Sequence, residues 1–246
     1  MKYAIVGAGR VARSIAAYLR ALNHEAALIG RAESQARAPS CLRALAAADV
    51  IAAAIPDHAL APWRRAYDDA VAGKPAIHFS GALVIEGMWS YHPLYSFPPA
   101  PLPPETTARI AFARQEGAPP LASLIPGAKN PEFVVADADR AFYHALAVLS
   151  GNFAAYLWNE TAKAFSGRLA GLPADVLAGY LHGVVDRFAE SPFGSLTGPV
   201  ARRDRATVEA NLDALAREPR LAGLYRAFLA AAWPDFEPGK PSRDGA

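Results

Sequence analysis

An α/β half built on a mainly parallel sheet, followed by an all-helical half, is the fold class this sequence predicts. Three observations carry it. The chain opens with a short apolar run that passes at once into a glycine-rich turn, apolar runs and helical patterns then alternate, and after Asp137 the strand-like runs stop. The length, 246 residues, leaves room for two domains, and the change of texture puts them at 1–137 and 138–246.

The first strand is Lys2–Val6, a continuous apolar run of the kind a strand covered on both faces gives. Gly7-Ala8-Gly9-Arg10-Val11-Ala12 follows, and Val11, Ile15, Tyr18, Leu19 and Leu22 recur at helical spacing as far as Asn23. Further strands are expected over Ala26–Ile29, over Val50–Ile55 up to Pro56, and over Ala76–Phe79 after Gly73-Lys74-Pro75. Strand, helix, strand, helix, strand implies parallel pairing through crossover helices. Two more runs, Ala108–Ala113 and Phe133–Ala136, should complete the sheet, with a short helix over Ala118–Ile125 between them. Pro98–Pro104 reads as a stiff surface loop, because sheet pattern resumes after it. The second half carries helical patterns over Arg140–Leu169, Ala174–Ala189, Arg205–Arg217 and Leu221–Trp233, with breaks at Gly167–Pro173 and Ser191–Pro199. Residues from Pro234 on are expected to be loose.

Composition narrows the function classes. A hydrophobic share of 52% excludes a disordered chain. With 25 basic and 23 acidic residues the net charge is +2, so no global field attracts nucleic acid or a membrane surface, and an anionic ligand needs local positive groups. Cys41 is the only cysteine, which excludes an intramolecular disulfide and a multi-cysteine metal site, and the six histidines show no metal-ligand spacing. The first apolar run is too short for a signal peptide, and Arg, Asp or Pro interrupts each alanine-rich segment before it could span a bilayer. A cytoplasmic protein acting on a small molecule is the expectation, without metal, nucleic acid or membrane.

The glycine pattern names the ligand class. Between a strand and the helix it becomes, Gly7 permits the tight turn, Gly9 lets a phosphate approach the backbone, and Ala12 allows close helix–strand packing. A dinucleotide on Gly7, Gly9, Arg10, Val11 and Ala12 is therefore expected. An acid about 20 residues further on would receive the ribose 2′-hydroxyl of NAD. Gly30-Arg31 stands there instead, and Arg31 would pair with a 2′-phosphate, which favours NADP(H); Glu33 could take the ribose if the strand ran longer.

Several blocks together carry a family resemblance: Gly7 to Ala12, His78-Phe79-Ser80-Gly81-Ala82, His92-Pro93-Leu94-Tyr95-Ser96-Phe97, Tyr143-His144-Ala145 with Asn152, and Leu196-Thr197-Gly198-Pro199-Val200-Ala201-Arg202 with Asp204. Over nearly the whole chain they resemble the Rossmann-like proteins that carry the domain of unknown function DUF2520. That family is similar to the 6-phosphogluconate dehydrogenase-like superfamily, which also holds prephenate dehydrogenases, pyrroline-5-carboxylate reductases and ketopantoate reductases. The resemblance implies a Rossmann dinucleotide-binding domain with a 6-phosphogluconate dehydrogenase C-terminal-like helical domain. It also implies a homodimer formed through the helical half, and NADP(H)-dependent hydride transfer to a small 2-keto acid such as ketopantoate. The alternatives are a prephenate- or pyrroline-carboxylate-like dehydrogenase or reductase, or a regulatory protein that binds NADP(H) without turnover.

Candidate site residues follow. A carbonyl that receives hydride must also gain a proton, and imidazole titrates near neutrality, so His92 and His144 are the catalytic candidates. His92, in the loop after the strand ending at Phe79, has a His-Pro pairing similar to that of prephenate dehydrogenases, while His144 stands near the place of the lysine acid in ketopantoate reductases. Asn152 lies two turns beyond His144 on one expected helix, so both can face a cleft between the domains; Lys163, further along, is a rival acid. Thr197 and Arg202, before an expected helix start and beside Asp204, suit a carboxylate or phosphate. Ser80, just past a strand end, could position nicotinamide or substrate. Each also has a plain structural reading: a satisfied loop or helix histidine, a capping turn, an Arg–Asp pair. His24, His58, His78 and His182 carry no functional expectation.

Overall fold

Alternation decides how the first strand is buried. In β1 (Lys2–Val6), Tyr3 and Ile5 enter one apolar core while Ala4 and Val6 enter another, because successive side chains of a strand point to opposite faces. The computed structural model describes residues 1–169 and 173–239. By packing, the chain divides into two compact units, Met1–Gly151 and Asn152–Ala246. The first unit extends past the change of texture at Asp137, because the helix that follows is anchored to the sheet by a buried arginine described below.

The first unit is a seven-stranded sheet in the order β2-β1-β3-β4-β5-β6-β7. The strands are β1, β2 (Glu25–Ile29), β3 (Val50–Ala53), β4 (Ala76–His78), β5 (Trp89–Pro93), β6 (Phe112–Gln115) and β7 (Glu132–Val135). Pairing is parallel from β2 through β5, antiparallel between β5 and β6, and parallel again between β6 and β7. The helices are α1 (Arg10–Ala21), α2 (Arg31–Gln35), α3 (Pro39–Ala47), α4 (Asp57–Ala66), α5 (Asp68–Val71), α6 (Pro104–Thr107), α7 (Leu121–Leu124) and α8 (Arg140–Ala147). One face of the sheet is covered by α1, through Ile15 and Leu19. Leu45 of α3 with Leu60 and Trp63 of α4 covers the other. This is the Rossmann-like α/β arrangement expected.

Several expectations need correction. No strand was expected at β5, yet Ser90 and Tyr91 are fully buried there, and His92 consequently sits on a strand rather than in a loop. The run expected from Ala108 to Ala113 is a strand only from Phe112, because Pro104–Thr107 forms a helical turn and Ile110 N–H closes back on Thr107 O. The short helix expected over Ala118–Ile125 covers only Leu121–Leu124. The helix expected over Arg140–Leu169 is interrupted by a π-helical segment, Val148–Phe153, which widens the turn and takes His144 and Asn152 off a simple two-turn spacing.

The second unit holds α9 (Ala154–Arg168), α10 (Ala174–Glu190), α11 (Gly198–Ala201), α12 (Arg205–Ala214) and α13 (Pro219–Ala232), with no strand among the described residues. Val200, Val208, Leu212, Leu229 and Trp233 form its core. The break expected at Gly167–Pro173 lies partly outside the described residues. The tail is tied down as far as Gly239: Phe236 packs on Trp233 at 4.9 Å between ring centres, Arg205 donates to Glu237 O at 2.8 Å, and Gly239 N–H to Glu209 at 3.1 Å. Among the described residues no helix is long and apolar enough to cross a membrane.

Candidate functional site

β1 has β2 on one side and β3 on the other, so the chain leaves the sheet in opposite directions at their carboxyl ends and opens a crevice there. Gly7 turns the chain at this point with φ +123°, and a Cβ on it would overlap the Ala54 carbonyl at the end of β3. A Cβ on Gly9 would meet nothing, so the space above it is open. Gly9 caps α1 without a side-chain bond and no acid lies in the first turn, which leaves N–H donors and the positive end of the helix dipole facing the crevice. Ala12 is fully buried, Val11 packs at the edge of the core, and Arg10 reaches back to Phe97 O at 3.4 Å.

A cavity of about 790 Å³ opens from this turn, lined among others by Gly7, Gly9, Arg31, His58, Trp63 and Tyr67. Glu33 is committed elsewhere: one carboxylate oxygen accepts from Gly30 N–H at 3.1 Å and the other from Ser40 Oγ at 2.9 Å. Arg31, by contrast, has no side-chain partner among the described residues. Arg37 also lines the cavity, but two bonds to Asp69 of 3.0 and 2.7 Å pin it over the Tyr67 ring. Trp63 and Tyr67 stack at 5.2 Å and are locked by bonds to Ser34 Oγ and Ser34 O respectively. Sequence reasoning missed this aromatic wall and His58, because only the fold brings α4 to the ends of β1 and β2.

A second polar group stands beyond β4. Ser80 Oγ donates to Asp57 at 2.8 Å; Asp57 falls between Pro56 and His58, two cavity-lining residues, so the Ser80–Gly81 loop adjoins the cavity rim. Gly81 packs against two histidines: a Cβ on it would overlap Nδ1 of His144 and press within 3.1 Å of Cδ2 of His92. The two imidazoles meet edge-on at 5.4 Å, and His92 Nδ1 shares a 2.8 Å hydrogen bond with the Tyr143 hydroxyl. Beneath them Arg140, fully buried, donates to Ser80 O at 3.2 Å and to Ser90 Oγ.

Burial, then His144 and Arg140, push His92 down to about 4. Burial and Arg140 push His78 down to about 4 as well, while burial raises the Tyr143 hydroxyl to about 12 against the pull of Arg140. Near neutral pH the cluster therefore holds a neutral His92 and a protonated Tyr143, and the unliganded His92 does not titrate near neutrality as the sequence suggested.

Ser80, His92 and His144 thus come together in the first unit. Asn152, Thr197, Arg202 and Lys163 belong to the second. There Lys163 is paired with Glu160 at 2.6 Å. Thr197 and Arg202 are exposed, and the helix start after them is capped by Asp204, whose carboxylate accepts Thr207 N–H at 3.1 Å and the Thr207 hydroxyl at 2.8 Å. Sequence reasoning passed over Tyr143 and Arg140. Tyr143 is the chain neighbour of His144, but Arg140 gave no signal beyond a helix-start arginine.

The family described as "Domain of unknown function (DUF2520)" matches residues 110–232, half of the chain. BF3122 of Bacteroides fragilis, provisionally described as an NADP oxidoreductase, has a similar structure at TM-score 0.72 and 19% identity, over 94% of this chain and 97% of that one. The Streptomyces aurantiacus imine reductase is similar at 0.58 and 16%, over 94% and 93%. So is the Plasmodium falciparum pyrroline carboxylate reductase with NADP bound, at 0.57 and 11%, over 94% and 95%. At these identities the likeness is one of fold. No curated protein matches the chain.

The lowered values for His78 and His92 have a consequence for stability. The fold keeps both rings neutral where the unfolded chain protonates them, so their contribution is complete above about pH 6.5 and is lost as pH falls towards about 4. Urea denaturation from pH 7 to pH 4 should show falling stability, with a smaller fall in His92→Gln.

Proposed function

We propose that this chain, which belongs to the DUF2520 family, is an NADP(H)-dependent oxidoreductase acting on a small carbonyl or imine compound. One observation carries the reading: the Gly7–Gly9 turn opens onto a cavity in which Arg31 is unpaired among the described residues while Glu33 is spent on a cap. The residues present fit the cofactor. The N–H groups of Gly9, Arg10 and Val11 would take the diphosphate, Arg31 the 2′-phosphate, and the Trp63–Tyr67 wall the adenosine. When bound, the reduced nicotinamide supplies hydride; everything else is the work of protein side chains.

In this reading Ser80, His92 and His144 orient the acceptor, and Tyr143 joins them as a proton donor. A proton leaving the Tyr143 hydroxyl for the nascent alkoxide or amine can be replaced from His92 Nδ1, while His92 Nε2 takes one from solvent. A small 2-keto acid of ketopantoate type is the first substrate class proposed. An imine or pyrroline carboxylate is the second class, supported by the named similar reductases. Loss of Tyr143 or His92 would then lower turnover by roughly 10² to 10⁴-fold with cofactor affinity retained.

A homodimer belongs to the same proposal. Val176, Tyr180, Val184 and Phe188 recur every four residues on α10 and are all exposed, an apolar stripe suited to a second copy.

NADPH should bind at least about tenfold tighter than NADH, a gap of about 1.4 kcal/mol that one Arg–phosphate contact can supply, and Arg31→Asp should erase or invert it. Titration of both nucleotides checks this, and equal affinities for the unmodified chain would refute it. NADPH oxidation with 2-keto acids and cyclic imines then separates a reductase from a protein that binds without turnover. Sedimentation at micromolar concentration should give twice the 26.1 kDa chain mass, falling to one chain in Tyr180→Asp/Phe188→Asp.

A further inference from the structure

The loop after β4 spends three of its four successive N–H groups. Ser80 N–H donates to His78 Nδ1 at 3.3 Å, and the N–H groups of Ala82 and Leu83 donate to Ser80 Oγ at 3.3 and 3.2 Å. Among the described residues, Gly81 N–H has no acceptor. At the other end of the same peptide unit, Ser80 O accepts twice, from Ser90 Oγ at 2.7 Å and from Arg140 at 3.2 Å. In a planar trans peptide the N–H points opposite to the carbonyl, and donors drawing charge onto the oxygen make that N–H a stronger donor.

Arg140 adds a net charge to this polarisation. It is fully buried, its Nε and Nη1 have no partner, and it forms no ion pair among the described residues. A buried cation in that state is costly until an anion balances it. Asp139, the adjacent residue, is exposed, and Asp137, whose charge favours the Arg140 cation, forms no ion pair with it and accepts from Gln115 at 3.2 Å. Asp57 also touches the loop, but its bond to Ser80 Oγ and its place in the first turn of α4, at the positive end of that helix, offset its charge. His78 and His92 stand nearby, and both are neutral near pH 7.

We infer that Gly81 N–H, backed by Arg140 through the Ser80 carbonyl, is the donor that receives a carboxylate oxygen of the substrate. The inference rests on the reductase reading and narrows it to anionic substrates. A glycine suits this place, since a Cβ would overlap Nδ1 of His144 and crowd His92. Here Arg140 is a positioning and electrostatic residue that need not touch the ligand.

The test is a titration of ¹⁵N-labelled protein, saturated with NADP⁺, with oxamate and separately with its neutral analogue oxamide. The Gly81 amide proton should move downfield and saturate with oxamate, and oxamide should bind at least about tenfold more weakly. Arg140→Met should weaken oxamate about tenfold or more with NADP⁺ affinity unchanged, and Arg140→Lys should restore part of the loss. Should Arg140→Met not fold, Ser90→Ala removes the other donor to Ser80 O and should weaken oxamate about threefold. No oxamate binding, a Gly81 amide that stays still at saturation, or equal affinity for oxamide overturns the inference. NADP⁺ binding is read independently at the Gly9 and Arg31 amides. If it fails, the cofactor reading falls, and oxamate added to the protein alone still decides whether Gly81 binds the anion.

Discussion

Everything in the first unit is arranged around the close approach of β1 to β3 at Gly7. No side chain fits between Gly7 and the Ala54 carbonyl, and the turn needs a φ of +123°, so any other residue would push the two strand ends apart. The same turn aims α1 at the crevice and lets Gly7 N–H reach Ile29 O at 2.8 Å, which ties the end of β2 to it. A helix N-terminus, the start of α2 and the start of α4 are thereby gathered round one cavity. On the proposed reading the start of α1 supplies N–H donors, the start of α2 a cation, and the far end of α4, with Trp63 and Tyr67, an apolar wall, which together are what a dinucleotide needs.

A second constraint organises the other polar group. Ser90 is fully buried on β5, and its N–H finds Gln115 at 3.0 Å while its hydroxyl finds Ser80 O. Arg140 closes the set from α8. Ser80 O, Ser90 Oγ and one Arg140 nitrogen satisfy one another, while Nε and Nη1 of Arg140 stay without a partner among the described residues, a costly state for buried polar groups. The helix carrying Tyr143 and His144 is in this way fastened to the loop carrying Gly81, with the imidazoles held between them. Rigidity and the electrostatic character of the cluster share one cause, the burial of a guanidinium beside neutral rings.

How much of this could be read from the sequence depends on how local each cause is. β1, the glycine turn and α1 were legible because chain neighbours determine them: an apolar run, two glycines, then helical spacing. β5 was not, because its Ser90 and His92 are polar residues whose partners lie far along the chain, on β6 and α8. Arg31 was legible as a cation at the right distance, yet the choice against Glu33 needed the capping geometry. Arg140 looked like an ordinary helix-start arginine, since burial is a property of what packs around a residue. After Asp137 the helical texture was plain, but the π-helical widening at Val148–Phe153 left no mark in the spacing.

The central claim is that the Gly7–Gly9 crevice is a binding site for NADP(H). A crystal structure of the chain grown with NADP⁺ tests it most directly. The account predicts the diphosphate on the N–H groups of Gly9 to Val11, the 2′-phosphate at Arg31, and the adenine against Trp63 and Tyr67. An empty crevice at saturating nucleotide, or a nucleotide bound elsewhere on the chain, would contradict it.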